Sequence, residues 1–390
     1  MRLQLSAQLS VRTWVVVVAL ASTLPAQADG PWTVSSDSLL YSDTDNVIVF
    51  SSQLGVARAV DEDGGQASAR AVVDVVSAAS VDVVSQASTR FSEVRGEADL
   101  ALSARVHAAL LSLDYRGSTE PDYLSHGFGA GYETRLGSPD SVFGAHYQLT
   151  LDTVGRHGTP YGVWSRALTS HEGDLSYTQT LGPQTLVRGV YTLTVQDGYL
   201  EKPYRFVPLF DADGLSRAVM DGAKLDLETF DRYRLSTRPP EEVPDLRVRH
   251  ALAARGLQYV PAIDGSLRVD YRFYVDDWRM TSHSVELSVW SELGRGFGVE
   301  LFTRGYLQSA AAFYKRIYRV MGPDQVPRLR TADRKLSPYR SLTGGLRLRL
   351  RADPIVAYLE GSVMGTWFTD YLLLNHELAL VSQGGLAWSF

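Results

Sequence analysis

Leu267-Arg268-Val269-Asp270-Tyr271-Arg272-Phe273-Tyr274-Val275-Asp276 alternates without a break. Leu267, Val269, Tyr271, Phe273 and Val275 take one set of positions, and Arg268, Asp270, Arg272, Tyr274 and Asp276 the other. Successive side chains of a β-strand point to opposite faces, so this stretch has one apolar face and one almost wholly charged face. A soluble sandwich buries the apolar face. A transmembrane barrel turns it outward to lipid and keeps the charged face for a lumen. One strand does not choose between the two, so the choice falls to its repeats and to the two ends of the chain.

The repeats are many. Alternating segments run over Thr33–Tyr41, Val47–Val60, Ala67–Val76, Glu93–Ser103, Val106–Arg116, Gly127–Leu136, Val142–Thr153, Asp174–Leu181 and Leu186–Gln196. They resume over Leu246–Tyr259, the opening stretch, Ser284–Leu293, Phe297–Gln308, Leu342–Arg351, Ile355–Trp367 and Glu377–Phe390. Short interruptions (Asp61–Gly65, Arg105, Gly137–Asp140, Gly182–Pro183, Pro261–Gly265, Gly294–Gly296, Ala352–Pro354) alternate with longer ones at Ser77–Thr89, Gly155–Ala167, Glu201–Pro244 and Ala311–Pro338. All the long interruptions therefore fall on one side, a sorting that a sandwich has no reason to show. The expectation is an all-β fold, a single antiparallel transmembrane β-barrel of about sixteen strands with long extracellular loops and short periplasmic turns. A short helix is expected near Leu225–Tyr233. Tyr259, Tyr271, Trp367 and Trp388 are expected on the apolar face near strand ends, as interfacial aromatics.

The chain has 390 residues, 45% of them hydrophobic, and no cysteine, which excludes disulfides and thiolate chemistry. Arg2, Arg12, the apolar Trp14–Leu24 and Ala26-Gln27-Ala28 read as a secretory signal, so residues 1–28 form one segment and 29–390 the barrel. Removing its two arginines leaves 36 basic residues against 44 acidic ones, a net charge of −8 with no basic tail for nucleic acid. At the other end Leu386-Ala387-Trp388-Ser389-Phe390 alternates to the last residue. Leu386, Trp388 and Phe390 resemble the signal by which bacterial outer-membrane barrels are recognised for insertion. The expected partners are outer-membrane lipid and the barrel assembly machinery, with a small lipoprotein or periplasmic redox component as a further partner.

Several phrases occur together. They are Asp74-Val75-Val76-Ser77-Ala78-Ala79-Ser80 with Ala87-Ser88, Phe91-Ser92-Glu93-Val94-Arg95, and Glu120-Pro121-Asp122-Tyr123-Leu124-Ser125. Gly198-Tyr199-Leu200 with Pro203-Tyr204-Arg205, Tyr271–Trp278 and Gln308–Tyr314 follow. In this order they resemble an uncharacterised bacterial outer-membrane barrel family, domain of unknown function 3570, over essentially the whole mature chain. The resemblance implies an outer-membrane barrel and brings no activity, cofactor or catalytic residue.

Alternation places Arg247, Arg249, Arg255, Arg268, Arg272, Arg304, Arg347, Arg349 and Arg351 in the lumen, with Asp270, Glu300 and Glu360 among them. Glu93, Glu97, Asp99 and Asp114 face inward from the N-terminal half. Walls of opposite sign would set a field across a pore and draw in anions; guanidinium–carboxylate pairing inside a narrow lumen is the plainer alternative. Asp276-Asp277 with His283 is the best catalytic candidate, against a simple solvated turn, and no G-x-S-x-G is present. Asp211-Ala212-Asp213-Gly214 has only a faint calcium-loop look, and neither catalytic residues, a metal nor a cofactor is expected. The functional expectation is a porin-like channel or export component for a small, anionic solute. The alternative is a closed barrel serving as scaffold or surface receptor, with an outer-membrane hydrolase behind both. Whether 77–89 and 201–244 plug the barrel is left to the structure.

Overall fold

The computed structural model describes residues 31–61, 64–78, 91–220, 227–321 and 325–390. Sixteen long strands form one closed antiparallel barrel. In chain order these are β1 (Trp32–Asp43), β2 (Val47–Ala59), β3 (Gln66–Ala78), β4 (Phe91–Val106), β5 (Ala109–Glu120), β6 (Tyr123–Arg135), β7 (Ser141–Val154), β8 (Arg166–Gly182) and β9 (Thr185–Gly198). After the two-residue β10 (Leu209–Phe210) come β11 (Leu246–Val260), β12 (Gly265–Asp276), β13 (Thr281–Glu292) and β14 (Phe297–Gln308). A second short strand, β15 (Tyr318–Arg319), precedes β16 (Tyr339–Ala352), β17 (Ile355–Phe368) and β18 (His376–Ser389). Neighbouring strands pair in sequence order, and β1 closes on β18. The strand number is as the sequence predicts, and the long loops all lie at one end of the barrel, which also carries short turns after β1, β5 and β12.

Differences lie at the strand ends. Arg105 is inside β4, and the reversal falls instead at His107, whose φ of 56° gives the turn its left-handed residue. The loop after β7 is shorter than predicted because β8 already begins at Arg166. Within 201–244 the helix appears as Leu227–Tyr233, and a second, unforeseen helix covers Ala212–Met220. Asp211 starts that second helix by accepting the Gly214 N–H at 2.5 Å, an N-cap in place of the calcium loop. The signal segment and most of 77–89 lie outside the described residues. At the β13–β14 turn Gly296 has φ +77°, and a Cβ there would meet the Arg351 carbonyl oxygen at 2.2 Å, so only glycine fits.

The charged face points inward. Arg247 and Arg249 of β11, Arg272 and Tyr274 of β12, Ser282 and Ser284 of β13, and Arg304 and Tyr306 of β14 line one cavity, which only the concave side of a sheet can arrange. Register then turns the alternate residues outward, where Leu252, Val269, Tyr271, Val285, Leu287, Leu301 and Leu307 are exposed. Trp367 and Trp388 are exposed on this outer face too. Tyr259 is not. It pairs in register with Ser266, on the face of Arg255, and its hydroxyl donates to Asp264 at 2.8 Å.

Most of the buried apolar residues among those described sit at the long-loop end rather than in the wall. The described residues of 199–245 and 309–338 fold together there as a cap. Val207 and Leu209 from the first loop pack with Tyr318, Val320 and Ala332 from the second. β10 and β15 pair in parallel across them. Glu242 and Arg330 exchange backbone hydrogen bonds at 3.1 and 2.8 Å, and Thr331 Oγ1 donates to Glu241 at 2.5 Å.

Candidate functional site

Charged residues on the inner wall are mostly spoken for by neighbours on adjacent strands. Arg255 binds Asp270 at 2.5 Å. Arg268 reaches Glu286 at 2.6 Å, Asp270 at 3.1 Å and Glu300 at 3.3 Å. Arg347 bridges Glu300 at 2.8 Å and Glu360 at 2.5 Å. This ladder joins β11, β12, β13, β14, β16 and β17 with alternating charge. The N-terminal wall has a ladder of its own. Arg116 and Arg70 flank Asp99 at 2.6 and 2.7 Å, Arg95 binds Asp74 and Glu97 at 3.1 and 2.8 Å, and His146 lies 3.0 Å from Asp114. The expected acidic wall facing a basic one is therefore absent among the described residues, because Arg70, Arg95 and Arg116 share the face of the acids they neutralise.

Two arginines are left out of this pairing by a choice of diagonal. Asp276 stands directly opposite Arg249 in register, yet its carboxylate binds Arg247 at 2.6 Å and accepts from Tyr274 and the Met280 N–H. Arg247 is held for this by stacking over Trp278, 4.1 Å from the ring centroid. Glu286 stands opposite Arg304 and turns to Arg268 instead. Arg272 has serine and alanine opposite, Ser284 and Ala253. Among the described residues no carboxylate lies within ion-pair distance of Arg249, Arg272 or Arg304, and the Arg249 Nε is buried without a hydrogen-bond partner. All three face one chamber of about 540 Å³ beneath the cap.

The cap supplies the roof of that chamber through Lys202, Glu241, Asp333, Lys335 and Leu336. Burial pushes the Asp333 carboxyl up, but Arg205 and Lys202 outweigh it and hold the group well below the usual carboxylate range. Burial pushes the Glu241 carboxyl above its ordinary value, and burial with Lys202 beside it pulls the Lys335 ammonium down. The cap is tied to the rim at separated points. Arg334 binds Asp45 of the β1–β2 turn at 2.6 Å and Glu377 of β18 at 2.9 Å, while Tyr204 donates to Asp122 of the β5–β6 turn.

Other sequence candidates fall apart or lie elsewhere. Asp276 faces the lumen, whereas His283 is on the outer face bonded to Tyr271 at 2.8 Å, so the two do not form a catalytic pair. Arg349 lies over Trp290 at 5.9 Å from the ring centroid, and Arg351 lies beside the short-turn rim with its backbone N–H bonded to Gly296. Leu386, Trp388 and Phe390 are all exposed on the outer face, with the last two rings 4.6 Å apart. No group of three or more metal-ligating side chains occurs among the described residues. Sequence reasoning missed the cap's contribution, since Lys202, Asp333 and Lys335 lie in irregular loops that no periodicity reads.

The model of a family described as protein of unknown function (DUF3570) matches residues 165–356. The likeness is to that stretch, just under half of the chain. The DUF3570 region runs from the start of β8 to the start of β17 and holds every residue lining the chamber. The phrases at Asp74–Ser80, Phe91–Arg95 and Glu120–Ser125 lie outside it. No curated protein matches the chain. Among solved structures it is similar to a bacterial polysaccharide outer membrane secretin, with TM-score 0.52 and 8% identity over 92% of this chain and 98% of that one. CdiB from Acinetobacter baumannii gives TM-score 0.50 and 9% identity over 92% of this chain and 60% of that one. At such identities the likeness establishes the fold alone, an outer-membrane-type barrel carrying a DUF3570 region.

Proposed function

We propose that the protein is a capped outer-membrane channel for small anionic solutes. One observation carries the reading: Arg249, Arg272 and Arg304 share a chamber with no carboxylate within ion-pair distance of them among the described residues, although Asp276 and Glu286 stand opposite two of them in register. Keeping the partly buried Arg249 unpaired is costly unless an anion completes it, and Arg272 and Arg304 stand exposed to the same chamber. Planar forks on several strands suit carboxylate or phosphate oxygens. Secretion by way of the N-terminal signal and insertion from the C-terminal strand belong to the same proposal.

The experiment is conductance in planar bilayers with asymmetric potassium chloride. An anion-selective reversal potential supports the reading, and charge reversal at Arg249 and Arg304 should move it toward cations. A silent wild-type barrel would instead favour the closed scaffold or receptor, a partner for a lipoprotein or periplasmic redox component. The cap, with an apolar core of its own, is the feature that speaks for that second reading.

A further inference from the structure

Four of the eight histidines make the same contact on the outside of the barrel. Tyr115 bonds His126, Tyr147 bonds His171, Tyr191 bonds His250 and Tyr271 bonds His283, in each case hydroxyl to Nδ1, at 2.9, 2.7, 2.8 and 2.8 Å. The ring centroids are 6.1, 6.2, 6.1 and 6.1 Å apart. Every tyrosine is on the first strand of a hairpin and every histidine on the second, opposite the residue two places beyond the tyrosine: Gly117, Leu149, Leu193 and Phe273. The hairpins are β5–β6, β7–β8, β9–β11 and β12–β13, eight strands that adjoin one another in the wall.

The pairs also lie at one height. Tyr115, Tyr147, Tyr191 and Tyr271 each come six residues after the first residue of their strand, Ala109, Ser141, Thr185 and Gly265. Following register from each tyrosine across two strands leads from Tyr115 to Leu149, from Tyr147 to Leu193 and from Tyr191 to Phe273. The next tyrosine is always two residues short of that point. A constant stagger of this kind traces a level ring round a barrel of tilted strands. With a rise of about 3.4 Å and a tilt near 40°, the tyrosines sit about 16 Å above the short-turn rim, and the histidines, two residues further along and one strand across, about 8 Å higher. That brings the imidazoles toward the far edge of an apolar band about 25 Å tall. On the other strands this outer face offers aliphatic side chains such as Leu40, Ile48, Val94, Leu307, Leu342 and Leu380.

We infer that these four hairpins form a belt that binds the phosphate groups of surrounding lipids. The tyrosine hydroxyl engages Nδ1 and fixes the ring, which leaves Nε2 as the atom presented outward. A hydroxyl both donates and accepts, so the bond to Nδ1 forms with the neutral or the charged ring; with the tyrosine donating, the neutral ring carries its proton on Nε2, as the charged ring also does. Four such groups in a row, about 12 Å apart from the spacing of two strands and the two-residue stagger, face the level at which lipid head groups meet acyl chains. A phosphate oxygen is the acceptor present there in quantity. A second copy of the chain would set like groups against like.

The test uses the full chain in maltoside micelles doped with phosphatidylglycerol or with a phosphate-free diacylglycerol, read by native mass spectrometry. The wild type should retain phosphatidylglycerol several-fold more than the phosphate-free lipid. His171→Leu with His250→Leu should remove about half of that excess, and all four substitutions nearly all of it, while heat-modifiable mobility shows the barrels folded. Tyr147→Phe with Tyr191→Phe, a milder change that keeps every imidazole, should lower retention by loosening the rings. Equal retention of both lipids, or unchanged retention in the folded histidine variants, overturns the proposal. So does a dimer lost with the histidines, or displacement by millimolar inorganic phosphate, which would mean a free-anion site.

Discussion

Phe390 and Trp32 exchange both backbone hydrogen bonds, each at 2.9 Å, and so close the seam between the last strand and the first. Deleting Phe390 removes the outermost pair of the β1–β18 ladder together with the ring that packs on Trp388. Folded barrel in the outer membrane should fall several-fold, with degradation fragments rising in the periplasm. Undiminished heat-modifiable protein without Phe390 would contradict this.

Adjacent substitutions in the opening stretch should fail for different reasons. Val269→Arg places a charge against lipid and should cost about 2–4 kcal/mol near the midplane. Arg268→Leu looks milder from alternation alone, but the structure gives Arg268 three carboxylate neighbours, which its removal leaves facing one another. Adding Glu286→Gln should recover part of the stability lost by Arg268→Leu and none of that lost by Val269→Arg. Denaturant titration of the refolded barrels in micelles measures both.

Selectivity should respond to the unpaired arginines and not to the paired one. Arg249→Glu with Arg304→Glu should reverse ion preference, more strongly at low salt. Arg347→Glu would put a third carboxylate beside Glu300 and Glu360 and cost about 1–3 kcal/mol after solvent screening, with little change in reversal potential. If Arg347→Glu shifts the potential as far as the double variant does, the chamber is not where selection occurs.

The architecture was legible from alternation because β16 and β18, like Leu267–Asp276, expose one face to an apolar surrounding and the other to polar partners. Strand number and loop sorting followed from that. Which arginines pair did not follow, since Asp276 has Arg249 opposite and Arg247 on the diagonal, and it is Arg247 that the Trp278 ring and the Tyr274 hydroxyl hold in place. The cap was equally hidden: Leu209 and Tyr318 are far apart in sequence and meet through loops without a period. Tyr259 was misplaced because it sits where β11 ends and the apolar pattern is already lost.

Leu209 is fully buried in the cap, so Leu209→Ala should destabilise it by about 2–5 kcal/mol while the barrel stays folded. Hydrogen exchange at residues 205–210 and 318–320 should quicken, and barrel strands should keep their protection. If the cap obstructs the mouth, bilayer conductance should rise in this variant.

Acidity should act on the cap in two directions. Glu241 has a folded pKa above its unfolded one, so its contribution is full below the ordinary glutamate range and is lost as pH rises through the raised value. Asp333 has a depressed pKa, so its contribution is present above the ordinary aspartate range and is lost as pH falls toward the lowered value. Cap protection against exchange, corrected for intrinsic rates, should therefore peak in mild acid. A steady rise from pH 4 to pH 9 would show that neither group governs it.

The two-residue stagger between successive hairpins has a consequence for how such a wall can change size. An offset of one residue would turn every following side chain to the wrong face. An even offset conserves facing, so a duplicated hairpin spliced between β6 and β7 or between β8 and β9 would meet its neighbours with lipid side and lumen side already matched. The wall is thus a modular tiling, extensible by pairs of strands at little cost to register, and the loops rather than the strands are left to decide what each enlarged or reduced version does.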